Sequence, residues 1–384
     1  MRIAMFSETF LPGTDGIVTR LCATLRHLEA TNHEVLLFVP EGGPSEYASA
    51  RVVGMPAFRF FLYPDKNFAF PRMRIGKVLR EFQPDIIHVL NPAFIGLGGI
   101  YYAWRYHIPL VASYHTNVPA YAHHYRLDFL EPALWWYFRT LHNRAEVNLC
   151  TSRATLKELE SQRFRNLMLW DRGVDVEMYG RATRTVEMRE RLLGTSDHGQ
   201  KLLIYVGRIA PEKGIDQVRR CLDEMPDLHF AVVGDGPSRL DLERVFAGTK
   251  TVFTGFLHGD ELAKAYAAAD GFVFPSTTET LGLVLFEAMA SGLPVLAASS
   301  PPTREVLEGG EAGFIFDPAS PGSMLESLRE MFYNKERRAA VLARAGEIAA
   351  ELDWAGPTRQ LLGAYESVYQ RHAAIAGNPV HGSR

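Results

Sequence analysis

Two runs of short apolar strands, each alternating with segments of helical spacing, constrain this chain more than any other feature. Arg2–Phe6 reads as a strand, followed by a loop with Pro12, Gly13 and Gly16. Over 17–30 the apolar residues Ile17, Leu21, Leu25 and Leu28 recur at helical spacing. Further strands are expected at 34–39, 86–89, 110–113 and 147–150, with helices at 74–82 and 98–106. The rhythm restarts at Lys201-Leu-Leu-Ile-Tyr-Val206. It continues through strands at 230–233, 252–254, 271–274 and 294–297, with helices such as 259–269 and 284–291. Short strands that alternate with helices mean a parallel sheet covered on both faces. The expected fold class is therefore α/β, with two Rossmann-like, doubly wound parallel-sheet domains.

The boundary falls near Gly173–Gly194: Arg172-Gly-Val-Asp175 ends the first unit, and a polar segment follows. Residues 1–172 form the expected N-terminal domain and 173–354 the C-terminal one. From Trp354 onward, Leu361, Leu362, Tyr365 and Tyr369 share one face of a helix over 355–376. Such a stripe must be buried, either on its own domain or back across on the first. Residues 377–384 read as a frayed end.

A chain of 384 residues exceeds one ordinary core. With 47% hydrophobic and 22% charged residues it reads as soluble and globular. A net charge of −3 and no long basic block argue against a nucleic-acid partner. Cys22, Cys150 and Cys221 are widely spaced, with no C-x-x-C, so no disulfide framework or zinc ribbon is expected and a reducing compartment fits. The first residues reach Glu8 too soon for a signal peptide. No apolar run is long enough to span a bilayer. A cytoplasmic location follows as an expectation.

Open parallel sheets bind ligands beyond the carboxyl ends of their strands. Two such domains turned to a shared cleft would hold a donor on one side and an acceptor on the other. Four elements fall at strand ends: Gly13-Thr-Asp-Gly16, Ser113-Tyr-His-Thr-Asn117, Gly207-Arg-Ile-Ala-Pro-Glu-Lys213, and Glu279-Thr-Leu-Gly-Leu-Val-Leu-Phe-Glu287. In the last, Gly282 stands where a helix begins, and the first free amides of a helix hold anions. A carboxylate before the helix and one inside it can hold hydroxyls on either side of that anion. A sugar nucleotide has that layout: sugar, diphosphate, ribose.

Each element also has a plainer reading. Gly13 and Gly16 make a tight turn; G-x-G-x-x-G is absent, so no ordinary dinucleotide fingerprint is met. Arg208 and Lys213 are surface charges, or they grip phosphate, as a Gly- and Pro-containing loop after a buried strand favours. His115 is a satisfied structural histidine or a site group. Gly234-Asp-Gly-Pro237 reads as a turn. Glu279 and Glu287 are the polar edge of a helix or a binding pair.

The residues Tyr205-Val-Gly-Arg-Ile-Ala-Pro-Glu-Lys213, Val233-Gly-Asp-Gly-Pro237, Phe253-Thr-Gly-Phe256 and Pro275-Ser-Thr-Thr-Glu-Thr-Leu-Gly-Leu-Val-Leu-Phe-Glu-Ala-Met-Ala290 resemble the retaining glycosyltransferases of family 4, which have the GT-B architecture. The resemblance covers nearly the whole chain. Within that family the likeness is strongest to the sulfolipid synthases (sulfoquinovosyltransferases) of cyanobacteria and plastids. It rests on Phe6-Ser-Glu-Thr-Phe-Leu-Pro12, Asp15-Gly-Ile-Val-Thr-Arg-Leu21, Ser113-Tyr-His-Thr116, Asn148-Leu-Cys-Thr-Ser152 and Trp170-Asp-Arg-Gly-Val-Asp175, among others. Related lipid mannosyl- and glucosyltransferases share much of this pattern.

The resemblance implies roles. Glu279 would accept hydrogen bonds from donor-sugar hydroxyls, and Glu287 from the ribose. Amides around Thr280, Leu281, Gly282 and Leu283, with Gly207, Arg208 and Lys213, would hold the diphosphate. Gly16 would approach it from the other domain. The 253–257 segment, including Phe256 and Leu257, would line the base. His115 would sit near the reacting carbon. The implied reaction moves a hexose with retention to a lipid, with UDP-sulfoquinovose and diacylglycerol as best fit and GDP-mannose or UDP-glucose as alternative donors. No cofactor or metal is expected, because no D-x-D or ligand-spaced His/Cys/carboxylate set occurs.

Residues 57–82 interleave Phe58, Phe60, Phe61, Tyr63, Phe68 and Phe70 with Arg59, Lys66, Arg72, Arg74, Lys77 and Arg80, against only Asp65 and Glu81. Residues 121–138 are also aromatic, with Trp135-Trp136. These are core aromatics with a solvated face, or a peripheral surface for anionic lipid that admits an acyl acceptor. Arg72, Lys77, Arg80 and Trp135 are the candidates for that surface. Two other classes stand beside a transferase: a sugar-nucleotide epimerase and a non-catalytic nucleotide-sugar binder. One departure from the family is Ser299-Ser-Pro-Pro-Thr303, where many relatives carry Gly-Gly. Prolines remove amide donors there, and Arg304 is a candidate to compensate or to favour an anionic sugar.

Overall fold

The structure is a computed structural model and describes residues 1–60, 63–120 and 128–377. Phe61, Tyr121 and the end at 378–384, with the side chains of Phe60, Tyr63, Asp65 and Lys66, lie outside the described residues. The chain divides into two compact units, one of Met1–Gly173 with Trp354–Arg384 and one of Val174–Asp353.

The first unit carries β1 (Arg2–Ser7), β2 (Glu34–Pro40), β3 (Glu46–Tyr47), β4 (Ala50–Met55), β5 (Ala57–Phe60), β6 (Tyr63–Ala69), β7 (Ile86–Leu90), β8 (Leu110–Tyr114), β9 (Val147–Cys150) and β10 (Leu167–Leu169). Its main sheet has the order β10-β9-β8-β7-β1-β2-β4-β3. Every pair in it is parallel except β3 with β4. Ile3 pairs with Val35 on one side and Ile86 on the other. β7 and β8 are buried at every residue, which is why they read as mostly apolar runs, broken only by His88 and Ser113. β5 and β6 form a separate antiparallel hairpin.

Helices cover both faces. The Gly16–Ala30 helix buries Val18, Leu21, Leu25 and Leu28. The tail helix, Ala355–Gly377, packs Leu361, Ala364, Tyr365 and Val368 into the same core as β1 and β2. It therefore closes the first unit. The buried stripe runs through Leu361, Tyr365 and Val368, which leaves Tyr369 at its edge and 41% exposed.

The second unit carries β11 (Lys201–Val206), β12 (Leu228–Val233), β13 (Thr251–Gly255), β14 (Gly271–Phe274), β15 (Val295–Ala298) and β16 (Phe314–Phe316). The order is β13-β12-β11-β14-β15-β16 and all pairs are parallel. Cores lie on both faces, one including Leu202, Ile204 and Phe272, the other Leu203, Tyr205 and Val273. The alternation along β11 thus splits between two apolar layers.

Candidate functional site

In the second unit the site elements gather at strand ends. β11 ends at Val206, and the loop beyond it closes in a 3₁₀ turn at Pro211–Lys213. Tyr205 donates its hydroxyl proton to the Arg208 carbonyl over 2.9 Å, holding the loop down. The Arg208 guanidinium pairs with Glu212, which is buried. The Lys213 ammonium donates to Glu279 Oε1. Burial works to lower the Lys213 pKa, but Glu279, Tyr205 and Glu212 more than offset it, and the net shift is upward. Lys213 is therefore a cation held by a carboxylate, and Arg208 likewise. Glu212 was not singled out in the sequence, because its partner is set by the 3₁₀ turn.

β14 leads through Glu279 to Gly282, which adopts φ +72° at the N-cap of the Leu283–Ala290 helix. No side chain caps that helix. A Cβ at Gly282 would meet Leu285 and Phe274 at 3.2 Å, so glycine serves both the left-handed backbone and the packing. Thr280 and Leu281 are buried, Leu281 in the core, so they offer backbone rather than side chains.

Glu287 lies inside the helix and is 8% exposed. Tyr266 donates to its Oε2 over 2.8 Å, and Tyr179 donates to the same carboxylate. Burial raises the Glu287 pKa and the tyrosine hydrogen bonds oppose that. Its chemistry is that of a hydroxyl acceptor, with two of the chain's own phenols already bound. In the 253–257 segment, the Phe256 ring is 52% exposed and lies nearly parallel to His258, with centroids 6.0 Å apart. Leu257 is buried in the core.

In the first unit, Asp15 caps the Gly16–Ala30 helix, accepting from the Ile17 and Val18 amides at 3.1 Å. Those two amides are thus occupied, and Gly16 stands exposed at the first position. His115 follows β8. Asn91 Oδ1 accepts from the His115 and Thr116 amides at 3.1 and 3.0 Å, fixing the strand end. The His115 ring bonds Ser113 Oγ through Nε2 at 2.8 Å. Burial, then Arg20, His88 and His142, hold its pKa well below the usual imidazole range. His115 is a neutral imidazole at physiological pH.

A second group escaped sequence reasoning. The buried Glu8 carboxylate accepts from the amides of Ala93, Phe94, Ile95 and Gly96 at 2.9–3.2 Å. It caps the Gly96–Tyr106 helix from 85 residues away or more. Desolvation raises its pKa against those four hydrogen bonds.

The surface candidates divide. Arg72, Arg74, Lys77 and Arg80 are exposed on and beside the Arg74–Phe82 helix. Nearby in sequence and on the next helix, Met73 is 92%, Trp104 66% and Tyr101 53% exposed. Phe58, Phe68 and Phe70 instead cluster around Phe94. Trp135 is a correction: it is buried among Tyr114, Phe138 and Phe164, and Trp136 is the exposed member of the pair at 59%. The Glu131–His142 helix turns only one of two adjacent residues outward.

At the departure from the family pattern, Ser300 caps a short Pro301–Val306 helix. The prolines occupy its first two positions, whose amides have no intrahelical partner in any case. Arg304 Nε donates to Ser299 Oγ over 2.9 Å. Among the described residues, no group of three or more His, Cys, Asp or Glu side chains could hold a metal ion. Among them, too, no helix is long and apolar enough to cross a membrane.

Residues 14–178 match the profile of Glycosyltransferase Family 4, and residues 190–347 that of Glycosyl transferases group 1. The chain is 36% identical over 369 residues to the sulfoquinovosyl transferase SQD2 of Arabidopsis thaliana, covering 94% of this chain and 72% of that one. It is 33% identical over 382 residues to a GDP-mannose-dependent alpha-mannosyltransferase of Mycobacterium tuberculosis, covering 98% and 99%. An alpha-monoglucosyldiacylglycerol synthase of Streptococcus pneumoniae is 28% identical, covering 85% and 78%. Among solved structures, Anabaena HepE in complex with UDP-glucose has a TM-score of 0.78 at 18% identity, covering 96% and 100%.

Proposed function

Because the chain belongs to glycosyltransferase family 4 and has the GT-B fold, we propose that it moves a hexose with retention from a nucleoside-diphosphate sugar to a lipid. The observation that supports this most is in the second unit. Two basic side chains, Arg208 and Lys213, lie on one loop, and Lys213 meets the carboxylate that precedes an uncapped helix N-terminus. A donor diphosphate would be held by the two cations and the amides around Gly282, with Gly207 on the same loop. Glu279 then turns from Lys213 to the sugar hydroxyls, and Glu287 serves the ribose beside Tyr266 and Tyr179.

In the reaction, the bond between the anomeric carbon and the diphosphate oxygen breaks as the acceptor hydroxyl attacks from the same face. The electron pair goes to the diphosphate, and a phosphate oxygen takes the acceptor's proton. Preorganised charge at that oxygen lowers the barrier. Arg208, Lys213 and the amides supply it in this reading, without a metal. His115, neutral by burial, contributes a hydrogen bond near the sugar rather than charge. Activity retained in a chelator would agree with this; activity that needs an added divalent ion would overturn the metal-free part.

For the substrates, we assign sulfoquinovose from UDP-sulfoquinovose to diacylglycerol. The 36% identity to SQD2 supports the donor, and the diacylglycerol named in the streptococcal relative supports the acceptor class. The mannosyltransferase at 33% identity keeps GDP-mannose as the competing donor. A screen of UDP-sulfoquinovose, UDP-glucose and GDP-mannose with diacylglycerol decides between them. Sulfoquinovosyl lipid as the main product is expected; turnover with GDP-mannose alone would overturn the assignment.

A lipid acceptor requires contact with a bilayer. We assign that contact to Arg72, Lys77 and Arg80 with the exposed Met73, Tyr101 and Trp104, on the cytoplasmic face. Flotation with vesicles rich in anionic lipid tests it. Binding that is insensitive to salt and to lipid charge would count against it.

A further inference from the structure

Within the first unit, three hydrogen bonds join the tail helix to the site histidine. The Tyr365 hydroxyl lies 2.6 Å from His88 Nδ1. His88 Nε2 lies 2.9 Å from Ser113 Oγ, and that same Oγ lies 2.8 Å from His115 Nε2. Tyr365 and Ser113 are 0% exposed and His88 is 1% exposed, so the first two links have no water to fall back on.

The direction of the protons follows from the first link. Among the described residues, the Tyr365 hydroxyl has His88 Nδ1 as its hydrogen-bond partner. A buried phenol must place its proton on an acceptor, so it donates to Nδ1. His88 is neutral, since burial and then Arg20 hold its pKa at about 3. Its single ring proton is therefore on Nε2, which donates to Ser113. Ser113 has one proton, and its remaining partner is His115 Nε2, so it donates there. His115 then carries its own proton on Nδ1. The bond made by one ring nitrogen fixes the state of the other.

We infer that Tyr365 is a positioning residue for transfer: through His88 and Ser113 it fixes His115 in the tautomer protonated on Nδ1. This rests on the assignment of His115 to the transfer site. Arg20 takes part from beneath. Its guanidinium lies 3.7 Å over the Trp170 ring and donates to the Trp170 and Asp171 carbonyls. The His115 ring meets Trp170 edge to face at 5.8 Å. A fixed buried cation beside two imidazoles opposes a second proton on either ring. The tail helix thus contributes to the site through hydrogen bonds as well as packing.

The test is ¹⁵N-histidine NMR on the full chain, with kinetics on the same samples. Wild type is expected to show His115 protonated on Nδ1. Tyr365→Phe keeps the ring that packs on His88 and removes the donor. It is expected to give His115 mixed tautomers and to lower kcat about 10- to 100-fold, the range seen for partners that orient a metal-bound histidine, with donor KM unchanged. Ser113→Ala breaks the relay at a second link without touching the tail helix, and the same signature is expected. His115 protonated on Nε2 in wild type, or tautomer and kcat unmoved in both variants, would overturn the inference. A purely packing role for Tyr365 predicts that unmoved result. Full transfer by His115→Ala, with the tautomers as described, would instead overturn the assignment of His115 to the site.

Discussion

The Tyr266 hydroxyl donates to Glu287 Oε2 over 2.8 Å in a buried setting, and the bond favours the charged carboxylate while burial opposes it. Burial wins, and the folded pKa lies above the ordinary carboxylate value. The folded chain thus holds that proton more tightly than the unfolded chain, so stability falls as pH rises from the unfolded value toward the folded one. Tyr266→Phe removes a donor to the charged form and raises the folded pKa further. Its cost is expected to be about 1–3 kcal/mol at pH 7 and to shrink as pH falls and the carboxyl protonates. Urea unfolding of both proteins at pH 7 and pH 4.5 checks this; an undiminished cost at the lower pH would refute it.

Lys213 is placed to meet the leaving diphosphate, with Glu279 as its resting partner. Lys213→Ala is expected to lower kcat by about 10²–10³-fold, the range for losing one preorganised donor to a developing charge. The pair is largely buried, with side chains 12% and 20% exposed, so leaving Glu279 without its partner should also lower the unfolding midpoint while the protein stays folded. Transfer of labelled sugar to lipid measures the first, and thermal melting the second. Near-normal turnover would remove Lys213 from the phosphate site.

His88 gives the first unit an acid limit. Its pKa is depressed to about 3 by burial and by Arg20, against about 6.5 in an unfolded chain. Its contribution is fully present above the unfolded value and is lost as pH falls toward the folded one. Between pH 7 and pH 5, wild type is expected to lose about 2 kcal/mol more than His88→Gln. Denaturant midpoints at the two pH values read that difference directly. Equal losses would mean that the imidazole gains its proton without unfolding.

The adjacent tryptophans should behave oppositely. Trp135 is 7% exposed within a core cluster, and Trp135→Ala is expected to cost about 3–5 kcal/mol. Trp136 is 59% exposed, and Trp136→Ala should stay within about 0.5 kcal/mol. Chemical unfolding of the two variants checks the order. A reversed order would return Trp135 to the surface.

Much of the architecture is legible in the sequence for one physical reason. Strands buried on both faces, such as Ile86–Leu90 and Leu110–Tyr114, are mostly apolar runs, each with one polar member. The hairpin of β5 and β6 and the short edge pair of β3 and β4 lack such runs, and the periodicity passes over them. At the site, the glycine before a helix and the flanking carboxylates announce themselves at Gly282, Glu279 and Glu287. The partners do not. Glu212 reaches Arg208 across a 3₁₀ turn, and Glu8 caps a helix that begins far along the chain. The first pair is four residues apart but lies in a loop that carries no helical periodicity to point to it, and the second has no local spacing at all. Asp15 was accessible, since an acid just before a helix start is an N-cap signal. For Trp135 and Trp136, one step along a helix separates core from solvent, and a two-residue motif carries no phase.

The first unit leaves the chain at Gly173 and resumes at Trp354. Leu361, Ala364, Tyr365 and Val368, part of its core, therefore leave the ribosome only after the whole of the second unit. At ordinary elongation rates the earlier portion waits roughly 10–40 s for them. The contiguous second unit can finish folding in that interval. The first then holds an uncovered apolar face while synthesis continues, which makes the nascent chain a natural client for a holding chaperone. Translation speed through the second unit becomes a determinant of yield.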